Sequence, residues 1–340
     1  MIAGKKTYIL IAAGAVVLGL LLSVMVYRTF LMSNIIGEGT SLYIPHNAGY
    51  KQLLDSLEKS GCVKSMRCFK RAAAFESLEN EIKPGMYTLK PGMSNHHLIR
   101  FIKKGWQTPV RLTLSGNIRN MEKLASLLSK KIESDSTQII CILKDTSFVD
   151  SLGFNPLTYP SMFLPDTYEV YWTITPKELL LRFKKEYDKF WNRERLEKAV
   201  KIGLSPIEVS TLASIVSEES NLKEEQPLIA GVYLNRLRKN IPLQADPTIK
   251  FILNDPSVKR ILNRHLSINS PFNTYKHAGL PPGPIVIPQK STIDAVLDYK
   301  KHNYIYFCAK PTLDGSHNFA VTLAEHNKNA RAYQRVISRL

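Results

Sequence analysis

The chain has 340 residues, with 46 Lys+Arg against 29 Asp+Glu for a formal net charge of +17, and it is 44% hydrophobic and 22% charged. That composition excludes a disordered chain, and at roughly 100–200 residues per domain the length corresponds to about two folded units. Four cysteines, at positions 62, 68, 141 and 308, form no CxxC pair, which excludes a zinc ribbon and a disulfide-dense miniature scaffold.

The first element is apolar. After Lys5 and Lys6, the run from Thr7 to Tyr27 carries no charged residue. At about 1.5 Å rise per residue it reaches roughly 30 Å, the thickness of a bilayer core. Arg28 is the only basic residue between this run and Glu38, so the positive-inside rule puts the amino terminus in the cytoplasm. The expected layout is a cytoplasmic stub at 1–6, a transmembrane anchor at 7–32 and everything later outside. A cleaved secretory signal is the competing reading, but its apolar region usually spans about 7–15 residues and ends at a small-x-small site, whereas here TFLMS follows. Tyr8, Tyr27 and Phe30 suit the two interfaces. Outside the cell the positive charge meets the outer lipid surface or a wall polymer and not nucleic acid. There Cys62 and Cys68 are candidates for a bridge, which spacing alone leaves open.

From 38 to 107 the pattern reads strand, helix, helix, strand, helix: SLYIP, YKQLLDSLEKSG, SMRCFKRAAAFES, GMYTLKPGMS and NHHLIRFIKKG. Leu53, Leu54 and Leu57 recur at helical spacing before Gly61, a natural stop. Ser94 caps the last helix, which places Leu98, Ile99 and Ile102 on one face. This is a small α+β module of a binding type, and it contains no catalytic constellation. The remainder, 108–340, mixes short apolar runs with charged helical segments. In LLLRFKKEYDKFWNRERLEKAVK, Leu180, Phe183, Tyr187, Phe190 and Trp191 line one face of an amphipathic helix.

The clearest helix starts at Ser205. Ser205, Pro206 and Glu208 form a capping-box signature, so the phase of every later residue in the helix can be computed. At about 100° per residue from Ile207, Leu212, Ile215 and Val216 define a stripe centred near 130°. Glu219 falls at about 120°, inside that stripe, and Glu218 at about 20°, toward solvent. An inward carboxyl is costly unless it is paired, hydrogen-bonded or protonated, and burial raises its pKa, which suits a general acid. The alternative is a structural glutamate paired with Arg236 or Arg238.

Polar residues then gather in loops rich in Pro and Gly. Gln244 and Asp246 precede Pro247, and Asn273 and Tyr275 open NTYKHAGLPPGPIVIP, where prolines cannot donate to a ladder and Gly279 and Gly283 allow close backbone approach.

ASIVSEES, IAGVYLNRL, PLQADPT, NTYKHAGLPPGPI and YIYFCAKPTLDGSHNFAVTLAEHN occur in order, preceded by KPGMYTL and FLPDTYEVY. These blocks resemble the MltG-type, or YceG-like, membrane-anchored endolytic murein transglycosylases over about residues 83–330. Aligning ASIV puts the family's catalytic glutamate on Glu219, the residue that helical phase selects independently. The resemblance implies cleavage of the bond between N-acetylmuramic acid and N-acetylglucosamine in nascent glycan strands. It implies a 1,6-anhydromuramyl product and no cofactor. It also implies that Gln244, Asp246, Asn273, Tyr275 and Glu225 contact the sugar, and an α+β chain in which 38–107 is a LysM-like glycan-binding module ahead of a mixed α/β, YceG-like catalytic domain at 108–340. Peptidoglycan strands, the inner membrane and wall-synthesis enzymes such as penicillin-binding proteins are the implied partners. The chain departs from many relatives at Ser217-Glu218 and at Glu225-Gln226, where an arginine is missing. His317 and Glu325-His326 fall in the closing block, and His317 reads as structural. Histidines lack ligand spacing, so no metal is expected. Two other activities fit part of the pattern. One is a membrane-tethered wall-binding scaffold that does not cleave, and the other is a hydrolytic muramidase with Asp246 or Glu225 as second carboxylate.

Overall fold

A computed structural model describes residues 2–36, 39–116, 118–255, 257–258 and 260–338. Met1 of the expected stub, Glu38 at the expected start of the small module and the last two residues lie outside the described residues. The elements run α1 (Ile2–Val26), β1 (Thr40–Ile44), α2 (Tyr50–Ser60), α3 (Met66–Phe75), β2 (Gly85–Leu89), α4 (Asn95–Lys104) and β3 (Val110–Leu114). They continue α5 (Met121–Ser129), α6 (Ser136–Leu143), α7 (Thr146–Ser151), β4 (Asp166–Val170), α8 (Pro176–Phe190), α9 (Arg193–Ile202), α10 (Pro206–Glu219) and α11 (Gln226–Arg238). The last are α12 (Asp246–Leu253), α13 (Asn263–Leu266), α14 (Lys290–Leu297), β5 (Tyr306–Ala309), β6 (His317–Ala320) and α15 (Leu323–Ile337). The architecture is mixed helix and sheet, with helices predominant and the strands in two-stranded sheets β1-β2, β3-β4 and β5-β6.

The chain forms two compact units: Met1–Arg111 with Lys131–Ser134 and Glu169–Ile174, and Leu112–Lys130 with Asp135–Tyr168 and Thr175–Leu340. In the first, β1 and β2 pair antiparallel from Thr40↔Leu89 to Ile44↔Gly85. Leu42 and Ile44 point inward onto Leu53, Leu57, Phe69, Leu98, Ile99 and Ile102 from the helices. This unit extends past residue 107 because later segments return to it. The Trp172 ring packs edge-on against Tyr43 with centroids 5.1 Å apart, and the Glu133 carboxylate accepts from the His46 backbone N–H at 2.9 Å.

One apolar stretch, Tyr8–Leu31, is long and apolar enough to cross a membrane, with mean hydropathy 2.8. Its last turn widens into a π-helical turn over Tyr27–Leu31, a local form that often marks a functional point in a helix. This turn and the residues after it are knit into the rest of the first unit. Asn95 Nδ2 donates to the Thr29 carbonyl at 2.7 Å, and Asn34 Nδ2 donates to Asn95 Oδ1 at 2.7 Å. Asn34 Oδ1 accepts from the Ser65 N–H at 2.8 Å, and Phe30 meets Phe75 edge-on. All four cysteines are free thiols, and the buried Cys62 sits 2.8 Å from the Ser60 hydroxyl.

In the second unit α10 is the central helix, packed against α9, α11, α12 and α14. Ser205 caps it, accepting from the Glu208 N–H while the Glu208 carboxylate accepts from the Ser205 N–H at 2.7 Å. Every residue from Val209 to Val216 is buried, so the helix is enclosed on all sides and has no single inward stripe. Ser210, Thr211 and Ser214 are tolerated inside because their hydroxyls donate to backbone carbonyls of the preceding turn. Glu218 consequently does not face open solvent; its side chain is 13% exposed and ion-paired with Arg119. Gly231 lets α11 approach closely, since a Cβ there would lie 2.6 Å from the Lys300 carbonyl oxygen.

Candidate active site

Glu219 ends α10 at the floor of a cleft of about 430 Å³. The walls come from α11 (Tyr233, Arg236), the 243–246 loop, Tyr275, the β5–β6 hairpin and the start of α15. The Glu219 side chain reaches the cleft surface and is not sealed off. The protein around its carboxyl is dense enough that burial pushes the pKa up to about 7. The Tyr233 hydroxyl donates to Oε1 at 2.6 Å and works against that rise by favouring the ionised form; the negative charge of Asp246 adds to it. Desolvation outweighs the hydrogen bond, so the carboxyl is partly protonated near neutrality. Neither arginine considered as a partner pairs with it. Arg236 donates to the Leu243 carbonyl and to Gln244 Oε1, and Arg238 to the Tyr299 hydroxyl.

The other expected sugar contacts fall into two groups. Gln244 and Asp246 line the cleft with Tyr275 and Glu219. Gln244 adopts a left-handed backbone, φ 52°, that only surrounding contacts hold. Its backbone N–H donates to the Thr274 carbonyl at 3.0 Å, while its side-chain oxygen accepts from Arg236. These two bonds hold the Gln244 side chain against the guanidinium, at the cleft wall. Asp246 opens α12, and its carboxylate accepts from the Tyr275 hydroxyl at 2.5 Å. Burial and this carboxylate both push the Tyr275 pKa up, so its hydroxyl stays protonated and donates.

Asn273 and Glu225, expected to contact sugar, are engaged elsewhere. Asn273 is fully buried; its Nδ2 donates to the Leu266 and Ile268 carbonyls at 2.9 and 2.7 Å, and its Oδ1 accepts from the Tyr275 N–H at 3.0 Å. It shapes the loop that carries Tyr275 and does not line the cleft. The Glu225 carboxylate accepts from the His317 backbone N–H at 2.8 Å and lies 2.7 Å from Nδ1 of the same ring. His317 lines the cleft and Glu225 fixes it from behind. Gln226 is neutral where many relatives carry an arginine, and its amide donates to the Ser220 carbonyl and accepts from the Thr292 hydroxyl.

Sequence reading missed Tyr233, Arg236, Tyr306 and His326 as cleft residues. Tyr233 and Arg236 sit at i and i+3 on α11, a spacing that puts them on one face. Among the described residues no group of His, Cys, Asp and Glu is arranged to hold a metal ion. The site's own side chains offer one proton-bearing carboxyl, a tyrosine that hydrogen-bonds it and a polar cleft of about 430 Å³ around them.

The chain is 28% identical over 308 residues to a protein from Bacillus subtilis (strain 168) named endolytic murein transglycosylase, covering 86% of this chain and 84% of the relative. It is 26% identical over 316 residues to a protein of the same name from Streptococcus pneumoniae serotype 2, covering 84% of this chain but only 57% of that longer relative. A crystal structure of a yceG-like protein from Listeria monocytogenes shares the fold, with TM-score 0.58, 24% identity, and coverage of 86% of this chain and 98% of that one. The profile of the YceG-like family matches residues 42–332, and the chain belongs to that family.

Proposed function

We propose that this protein is an endolytic murein transglycosylase and that Glu219 is its acid and base. The observation that carries the reading is a carboxyl at the floor of a polar cleft with its pKa raised to about 7, in a chain whose relatives bear that name. Protonated Glu219 donates to the glycosidic oxygen between N-acetylmuramic acid and N-acetylglucosamine, and the C1–O bond breaks. The carboxylate left behind then takes the proton of the muramyl C6 hydroxyl as that oxygen bonds to C1. The product is a 1,6-anhydromuramyl end, no water is consumed, and Glu219 returns to its starting state. One carboxyl suffices because the substrate supplies its own nucleophile, unlike a hydrolase with two carboxylates. The Tyr233 hydroxyl occupies Oε1, which leaves Oε2 to carry the proton. Gln244, Asp246 and Tyr275 line the same cleft, which supports a role for them in holding sugar hydroxyl and amide groups.

In this reading α1 anchors the chain in the inner membrane with its amino terminus in the cytoplasm and its folded units on the outer face. The strand-helix-helix-strand order of 38–107 supports a LysM-like, glycan-holding role, and 108–340 is the catalytic domain. Nascent strands near the bilayer are the substrate, and penicillin-binding proteins are neighbours that produce them. Mass spectrometry of the products from uncrosslinked peptidoglycan tests the assignment. Anhydromuramyl ends with the wild type and none with Glu219→Gln are expected. Reducing ends would indicate hydrolysis with Asp246 as the second carboxylate, and intact strands from folded protein would indicate a binding scaffold.

A further inference from the structure

The cleft contains a cation that its own residues leave without a counter-charge. Arg236 is 7% exposed. Its Nη1 donates to the Leu243 carbonyl at 2.7 Å and its Nη2 to Gln244 Oε1 at 3.0 Å, both neutral acceptors. Its Nε is buried and has no partner among the described residues. The guanidinium lies 5.5 Å from the Tyr306 ring centroid, and that ring stacks on His326 at 5.3 Å and 27°. His326 Nδ1 is likewise buried and without a partner among the described residues. Both side chains line the same cleft as Glu219.

Buried donors in native proteins are nearly always paired, and exceptions call for a ligand or water. Water can satisfy an N–H, but it leaves the charge of a buried guanidinium uncompensated. The carboxylates of the cleft are committed to other groups, Glu219 to Tyr233 and Asp246 to Tyr275. Arginine is the side chain best matched to a carboxylate, through its planar fork of N–H groups.

We propose that Arg236 and His326 form a carboxylate-binding subsite in the Glu219 cleft. The inference rests on the murein reading of that cleft. Murein offers this chemistry from two sources: the lactyl carboxylate of a muramyl residue that has lost its peptide, and the free carboxylates of the stem peptide. Arg236 supplies the charge, and His326 adds a hydrogen bond in the tautomer that carries its hydrogen on Nδ1. Burial and the neighbouring guanidinium hold the His326 pKa below its ordinary value, so the ring acts as a neutral donor.

Ligand-observed NMR titration of the full-length protein in detergent micelles tests this without any cleavage step. Four probes are compared: N-acetylmuramic acid, its lactyl methylamide, a muramyl peptide with free peptide carboxylates, and the same peptide fully amidated. At least one acid should bind about tenfold or more tightly than its own amide, the scale expected of a hydrogen-bonded charge. A gap in the first pair identifies the lactyl source, and a gap in the second the peptide source. The gap should close in Arg236→Gln and persist in part in Arg236→Lys. Equal affinity of the wild type for each acid and its amide overturns the proposal, and this comparison decides the matter even where Arg236→Gln fails to fold. Absence of anhydromuramyl products would refute the transglycosylase reading and leave the acid-amide comparison standing; products without acid-amide discrimination would do the reverse.

Discussion

Replacing Glu219 by Gln should stabilise the protein in a manner that depends on pH. The folded state holds this carboxyl at a pKa of about 7, against the ordinary 4.5. Between those values the folded chain binds a proton that the unfolded chain has released, so wild-type stability falls as pH rises from about 4.5 to about 7 and is level above that. At about 1.4 kcal/mol per unit the full shift corresponds to about 3.5 kcal/mol, and because the cleft opens to solvent the penalty at pH 8 is discounted to about 3 kcal/mol or less. Glutamine keeps the shape and can still accept from Tyr233, but it does not titrate. Glu219→Gln should therefore melt close to wild type near pH 4 and up to roughly 6–12 °C higher near pH 8, at about 2–4 °C per kcal/mol for a unit of this size. Calorimetry of both full-length proteins across that range is the assay. Melting temperatures that move in parallel would refute the claim that burial loads this carboxyl. The same titration requires anhydro-end formation to decline as pH rises through about 7, because the first step needs the protonated acid.

Tyr233→Phe removes a hydrogen bond that favours the ionised carboxyl, so the alkaline limb of the pH–rate profile should move to higher pH and the fold lose about 1–2 kcal/mol, read by pH-dependent product assays and denaturation. Asn273→Ala strips three partly buried hydrogen bonds of a buried side chain and should cost about 2–3 kcal/mol in denaturant titrations, with activity falling as Tyr275 loses its support. Glu225→Gln weakens the hold on His317 and should raise KM by roughly three- to tenfold with kcat nearly kept, if His317 acts only by shaping the cleft. Asn95→Leu removes both the donor to Thr29 and the acceptor from Asn34. It should expose residues 29–36 to limited proteolysis at enzyme concentrations that leave the wild type intact.

The direction of Glu219 was legible because the capping box at Ser205 fixes where the helix begins, and one known start gives the phase of every later residue. The surroundings were not legible from phase alone. Val209–Val216 is buried on every side, so the same phase that sends Glu219 inward wrongly sends Glu218 to solvent, although Arg119 waits for it 99 residues away. Tyr233 reads as core on an apolar helix, and only the turn between α10 and α11 brings its hydroxyl to Glu219. Asn273 shows the converse. A short polar side chain in a Pro- and Gly-rich loop looks the same in sequence whether it faces a sugar or its own backbone. Glu225 and His317 are 92 residues apart, and no local pattern announces a pair at that distance. The contacts at the exit of the apolar helix were not legible either, because Asn95, the partner of both Thr29 and Asn34, belongs to α4, 66 and 61 residues further on.

That last contact changes what the amino-terminal helix can do. A helix joined through a slack tether transmits nothing but proximity. Here hydrogen bonds among Thr29, Asn34, Asn95 and Ser65 fasten the exit of α1 to the rest of the first unit. A rotation or tilt of the helix must therefore turn the first unit with it, as a key turns with its shaft. With α1 in a bilayer as proposed, changes in bilayer thickness, which a spanning helix answers by tilting, would then reorient that unit.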